Sequence, residues 1–108
     1  MVAGNIGAYM GPNKILASDA DLNDVSTFAP LSGMYQFSVI DANITNKPSG
    51  AGSTHYAMIT IQNLRNWSET SLQVCVQTYY SFNKTVWRRI GSKTGSATSY
   101  TWSNWVEI

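Results

Sequence analysis

A chain of 108 residues with a net charge of +1, 44% hydrophobic and only 12% charged, has room for one hydrophobic core and not for two. The balanced charge removes the electrostatic basis for nucleic-acid binding, which needs clustered Lys and Arg to displace counterions from phosphates. A lone cysteine, Cys75, forms no internal disulfide, and no apolar run reaches the length of a membrane span, so the expectation is a fold held by packing alone, without membrane insertion.

The surface must be built largely from Ser, Thr, Asn and Gln, a composition that suits short strands and polar turns better than helices. The expected fold is all-β: a small antiparallel β-sandwich or compact knob with one short N-terminal helix or turn. Residues 1–17, with Gly4, Gly7, Gly11 and Pro12, are expected to be a lead-in or linker, and residues 18–108 the β domain. The start lacks the basic segment and apolar run of a signal peptide. Ser18-Asp19-Ala20-Asp21 has the character of a helix N-cap before a short helix or turn through Leu22 and Val25, ending before Pro30.

Gly33 to Val39 alternates, with Tyr35, Phe37 and Val39 on one side and Met34, Gln36 and Ser38 on the other, as a strand requires. From Asp41 to Ser53 the Asn, Ser, Gly, Lys and Pro content predicts a long exposed loop, a place where binding contacts are often carried. Tyr56 to Leu64 is a second strand, with Ala57, Ile59 and Ile61 on one face. The clearest strand runs from Ser71 to Ser81: Leu72, Val74, Val76, Thr78 and Tyr80 share one face, Gln73, Cys75, Gln77 and Tyr79 the other, one being core and the other wetter. Ser81 to Lys84 supplies a turn into Thr85 to Ile90, so these segments should pair as a hairpin. Gly91 to Ser99 is expected to be a polar loop, followed by a short strand through Trp102.

Catalytic chemistry finds little support. The one imidazole, His55, has no nucleophile motif around it, and one His with one Cys does not make a zinc site. Asp19, Asp21 and Asp24 lack the spacing of a calcium loop and suit capping better. Asp41, Glu69 and Glu107 could supply a carboxylate pair for glycoside hydrolysis, but any protein with six acidic residues offers such pairs. No glycine loop precedes a helix to cradle phosphate. The reading is a non-enzyme without cofactor or metal. Lys84, Arg88, Arg89 and Lys93 are expected to be solvated, with Arg88 and Arg89 on opposite faces. Aromatic rings are the remaining signal. Trp102, Trp105, Tyr35 and Trp87 are assigned to packing, the two C-terminal tryptophans as a clasp over the core. Trp67, His55, Tyr80 and Arg88 are the candidate ligand-binding residues, rings for stacking on sugars and polar groups for their hydroxyls.

In order, Asp21-Leu22-Asn23-Asp24, Leu31-Ser32-Gly33-Met34-Tyr35, Val86-Trp87-Arg88-Arg89-Ile90-Gly91 and Tyr100-Thr101-Trp102-Ser103-Asn104-Trp105-Val106-Glu107-Ile108 resemble the pyocin knob family. The resemblance covers roughly residues 18–108 and departs in the middle, where 41–53 and the turn around Trp67 have no counterpart pattern. It implies a small β domain of a phage tail fibre or R-type pyocin fibre, located in the virion or appendage after synthesis in the bacterial cytoplasm. It further implies a homotrimer, and host attachment through a cell-surface polysaccharide or other receptor. Two alternatives stand beside it: a carbohydrate-binding module of a wall- or capsule-degrading protein, and a structural capsid or baseplate decoration protein.

Overall fold

The computed structural model describes residues 9–10, 14–16, 19–30, 32–40, 44–51, 56–64, 72–94 and 97–108. Eight strands and one helical turn are present among them: β1 (Tyr9–Met10), β2 (Lys14–Ile15), α1 (Val25–Phe28), β3 (Gly33–Ile40), β4 (Tyr56–Leu64), β5 (Leu72–Tyr80), β6 (Val86–Thr94), β7 (Thr101–Trp102) and β8 (Val106–Glu107). The fold is all-β and mostly antiparallel, with every strand in one sheet of order β1-β3-β4-β5-β6-β7. β2 also lies on β3, and β8 on β6. The two outer long strands are thereby sealed by two-residue segments, which leaves no long bare edge for another chain to extend.

β3 to β6 form an antiparallel meander in which alternate residues share a face. Tyr35 stands opposite Ile61, Phe37 opposite Ile59, and Val39 opposite Ala57, while Ile59 meets Tyr79 and Ile61 meets Gln77 on the next strand. All of these are buried. The β5–β6 hairpin turns through Ser81 to Thr85, closed by Ser81 N–H to Thr85 O (2.9 Å) and Lys84 N–H to Ser81 O (3.0 Å). Lys84 takes φ 72°, the left-handed position that a longer hairpin loop requires.

The second layer of this sandwich-like arrangement is irregular. Leu16, Leu22, Val25, Ala29 and Ile44 are buried over the inner face, and the Phe28 ring stands edge-on to Phe37 at 5.5 Å. Asn63 Nδ2 donates to Ala29 O at 2.7 Å and Gln77 Nε2 to Leu22 O at 2.7 Å. Two buried amides of the sheet thus satisfy carbonyls in a layer that has no ladder of its own.

Five expectations change here. Part of the segment expected to be a lead-in joins the sheet: β1 and β2 pair in parallel with β3, and Leu16 is buried. The helix is one turn beginning at Val25, with Asp24 at its N-cap. Asp21 instead bridges to Thr45, because its carboxylate accepts from Asn23 N–H and Asn46 Nδ2. Within the expected exposed loop, Ile44 and Pro48 are buried, two apolar residues sufficing to pin an otherwise polar stretch. β6 runs on to Thr94 because β5 offers it partners down to Leu72. Arg89, expected in solvent, is 6% exposed.

Candidate functional site

Residues of three of the four sequence motifs meet around Arg89. Alternation on β6 sends this side chain to the inner face, where its Nε donates to Gln77 Oε1 at 2.8 Å. Its guanidinium carbon lies 3.9 Å from the Trp102 ring centre and 4.6 Å from that of Trp105. Burial lowers its pKa to about 10, with the nearby Cys75 and Asp21 acting in the opposite direction. Trp105 continues the connection: its ring stands edge-on to Tyr79 at 6.2 Å and its Nε1 donates to Asn46 O at 2.9 Å. Asn46 then donates to Asp21 Oδ1 at 2.6 Å. A path of polar contacts and ring faces thus runs from Leu22 through Gln77, Arg89, Trp105 and Asn46 back to Asp21. It joins the first loop, the 44–51 segment, β5, β6 and the C-terminal strands.

Arg89 Nη2 and Trp102 Nε1 are buried without hydrogen-bond partners. Two indole faces stand in for part of the hydration the guanidinium has lost, and among the described residues no carboxylate is hydrogen-bonded to it. This is a structural centre and not a ligand site, since both atoms are out of reach of solvent. Cys75, beside it, is fully buried, and burial raises its thiol from 9.0 to about 12, against the lowering effect of Arg89. A thiol so placed is no nucleophile.

Of the residues nominated for packing, Tyr35 is buried, and Trp87, Trp102 and Trp105 lie half-buried against the core. Two glycines admit the rings: a Cβ at Gly91 would fall 2.5 Å from Trp102 Cε3, and one at Gly50 would fall 2.5 Å from Trp87 Cζ2. Of the residues nominated for ligand binding, Trp67 and His55 lie outside the described residues. Tyr80 and Arg88 share the outer face of the sheet, on neighbouring strands and one register step apart, Tyr80 opposite Val86 and Arg88 opposite Thr78. Arg88 is exposed, and its Nε donates to Thr78 Oγ1 at 3.3 Å.

Two surfaces are candidates for function. One is a polar basin of about 230 Å³ lined by Asp21, Asn23, Asp24, Ser26, Thr98, Ser99 and Tyr100. The first loop places its acidic and amide groups, and the approach to β7 places its hydroxyls. Asp24 Oδ2 is fixed by the Thr27 hydroxyl at 2.9 Å, and the Tyr100 hydroxyl donates to Asn63 Oδ1 at 3.4 Å. Exposed Asn23, Ser26, Thr98 and Ser99 offer both donors and acceptors. A recess of this size is below the roughly 300–1,000 Å³ of drug-sized pockets, so it suits one ring of a larger ligand.

The other surface is the outer face itself. Leu64 pairs with Val74 and Gln62 with Val76, and Val76 in turn lies beside Ile90. Two open depressions of about 440 and 350 Å³ meet at Val76. Among the described residues, no three His, Cys, Asp or Glu side chains gather to hold a metal ion, and no helix is long and apolar enough to cross a membrane.

No protein-family model, no curated protein and no solved structure matches this chain.

Sequence reasoning missed the basin because its members are common polar residues from segments about 75 positions apart, which no periodicity connects. It missed the openness of the outer face for a different reason. Leu72, Val74 and Val76 look like the core side of β5, yet Gln73, Cys75, Gln77 and Tyr79 are buried, and on the side of Leu72 only Thr78 is.

Proposed function

We propose that this chain is a non-catalytic domain of a phage tail fibre or related receptor-binding appendage, taking part in host attachment through a cell-surface glycan. The observation that carries the reading is the convergence of residues from three motifs on the Arg89 centre. Leu22, Arg89, Trp102 and Trp105, drawn from three of the segments that resemble pyocin knobs, contact one another or share a partner. Residues with that role define a fold and leave the surface free to vary, which is how a receptor-binding domain changes its target.

The basin supports the glycan part of the reading. Sugar hydroxyls need closely spaced donors and acceptors held in place beforehand, and the fixed Asp24 carboxylate beside Asn23, Ser26 and Ser99 supplies both. A bacterial-glycan array probed with the purified domain tests this, with Asn23→Ala and Ser99→Ala as controls that leave the core untouched. Binding to at least one glycan, weakened at least tenfold by either change, is expected. No binding across capsular, lipopolysaccharide and teichoic acid glycans would remove the glycan from the proposal.

The apolar outer face favours a second role in assembly, alongside attachment. A bare sheet face suits a protein neighbour better than a sugar, since it offers few hydrogen-bonding groups.

A further inference from the structure

Among the described residues, the outer face of β3 to β6 carries one charge, Arg88, and an ordered pattern. Crossing β3 to β6, one row of the sheet holds Gln36, Thr60, Thr78 and Arg88. On one side of this polar row lie Met58 and Tyr80, and on the other Met34, Val76 and Ile90. Met34, Leu64, Leu72, Ile90, Val106 and Ile108 are between 36% and 67% exposed. Together these six leave about 600 Å² to solvent, at the upper limit of apolar patches on monomers. With the half-buried side chains between them the face approaches the roughly 800 Å² that each partner gives to a stable interface.

We infer that this face packs against the same face of a second copy, which supplies the sheet that a single chain lacks. The inference does not depend on the glycan reading, and the twofold pair it describes departs from the homotrimer that the pyocin-knob resemblance implies. The pattern itself selects the arrangement. A twofold axis running along the polar row would set Arg88 against the partner's Arg88, two like charges brought together out of water. An axis running parallel to the strands, between β4 and β5, sets Arg88 against the partner's Gln36 and Thr60 against the partner's Thr78. The same axis sets Met58 on the partner's Tyr80, Met34 on the partner's Ile90, and Leu64 on the partner's Val74. Apolar meets apolar and polar meets polar, apart from Gln62 at the partner's Val76 and Ser38 at the partner's Val86. Sheets stacked in this way keep their strands nearly aligned and interdigitate side chains across about 10 Å. Extension through the sheet edges is not the route, because β1, β2, β7 and β8 occupy them.

Sedimentation equilibrium at micromolar concentration is expected to give twice the 11.9 kDa of one chain. Ile90→Glu and, separately, Leu64→Glu should each halve that mass with unchanged far-ultraviolet circular dichroism, both positions being exposed in the single chain. Treating a Met34→Cys/Ile90→Cys double variant with a short bismaleimide that spans the roughly 10 Å between stacked sheets should yield a covalent dimer, and Met34→Cys alone should not. These two positions sit on β3 and β6 with β4 and β5 between them, roughly 14 Å across the sheet and beyond the reach of that linker within one chain. A monomer, a trimer, a dimer indifferent to both glutamates, or no more cross-linking by the double variant than by the single one would overturn the inference.

Discussion

Trp105→Ala removes an indole that touches three parts of the fold at once. The ring stands against Tyr79 and over the Arg89 guanidinium at 4.6 Å, and its Nε1 holds the Asn46 carbonyl at 2.9 Å. Half-burial of a tryptophan removes about 100 Å² from water, worth about 2.5 kcal/mol. Loss of the ring face over a buried cation adds roughly 1 kcal/mol, and the lost hydrogen bond about 1 kcal/mol. These overlap, so the expected cost is about 4 kcal/mol, inside the range for Trp to Ala in cores. For a domain of this size that lowers the melting temperature by about 15–25 °C. Thermal unfolding followed by circular dichroism, with urea denaturation as a second measure, reads it out. Trp105→Phe retains the ring against Tyr79 and Arg89 and should cost only about 1–2 kcal/mol. A drop of less than about 5 °C for the alanine variant would refute the clasp. So would glycan binding lost with melting unchanged, which would make Trp105 a contact residue.

Gly91→Ala is expected to cost about 1–3 kcal/mol by overpacking, since its Cβ would fall 2.5 Å from the Trp102 ring; an unchanged melting temperature would mean the ring is not seated there. Cys75 gives the fold an alkaline weakness. Its folded pKa is raised from 9.0 to about 12, so the protonated thiol favours folding below pH 9 and that advantage is lost as pH rises toward 12. Arg89 adds no slope until about pH 10, where its folded form begins to titrate. Melting temperature should therefore fall between pH 9 and 10, and Cys75→Ala should flatten that fall; an equal fall in both proteins would contradict the assignment.

Much of the sheet was legible. Strict alternation over Met34 to Val39 and Ala57 to Ile61 fixed the strand and the face together, because Tyr35, Phe37, Val39, Ala57, Ile59 and Ile61, the buried residues there, all fall on one side. In β5 both sides carry apolar residues, and the decisive fact is what lies opposite. Gln77 is buried because Leu22 O and Arg89 Nε are there to meet its amide, and those partners are 55 and 12 residues away. β1 and β2 escaped notice because a two-residue pairing leaves no period to detect. The site was less legible still: Tyr80 and Arg88 fall on one face by alternation, while the basin depends on a fold-back that places Ser99 near Asn23. Arg89 carried a usable signal in hindsight of its neighbours, a cation at an inward strand position two residues from Trp87.

Adsorption of the labelled domain to bacterial cells, before and after periodate oxidation of surface sugars or protease treatment of surface proteins, tests host attachment through glycan most directly. The account predicts saturable adsorption that periodate abolishes, protease spares and Asn23→Ala weakens. Adsorption that survives periodate and is lost on protease treatment, or none to any strain in a broad panel, would contradict it.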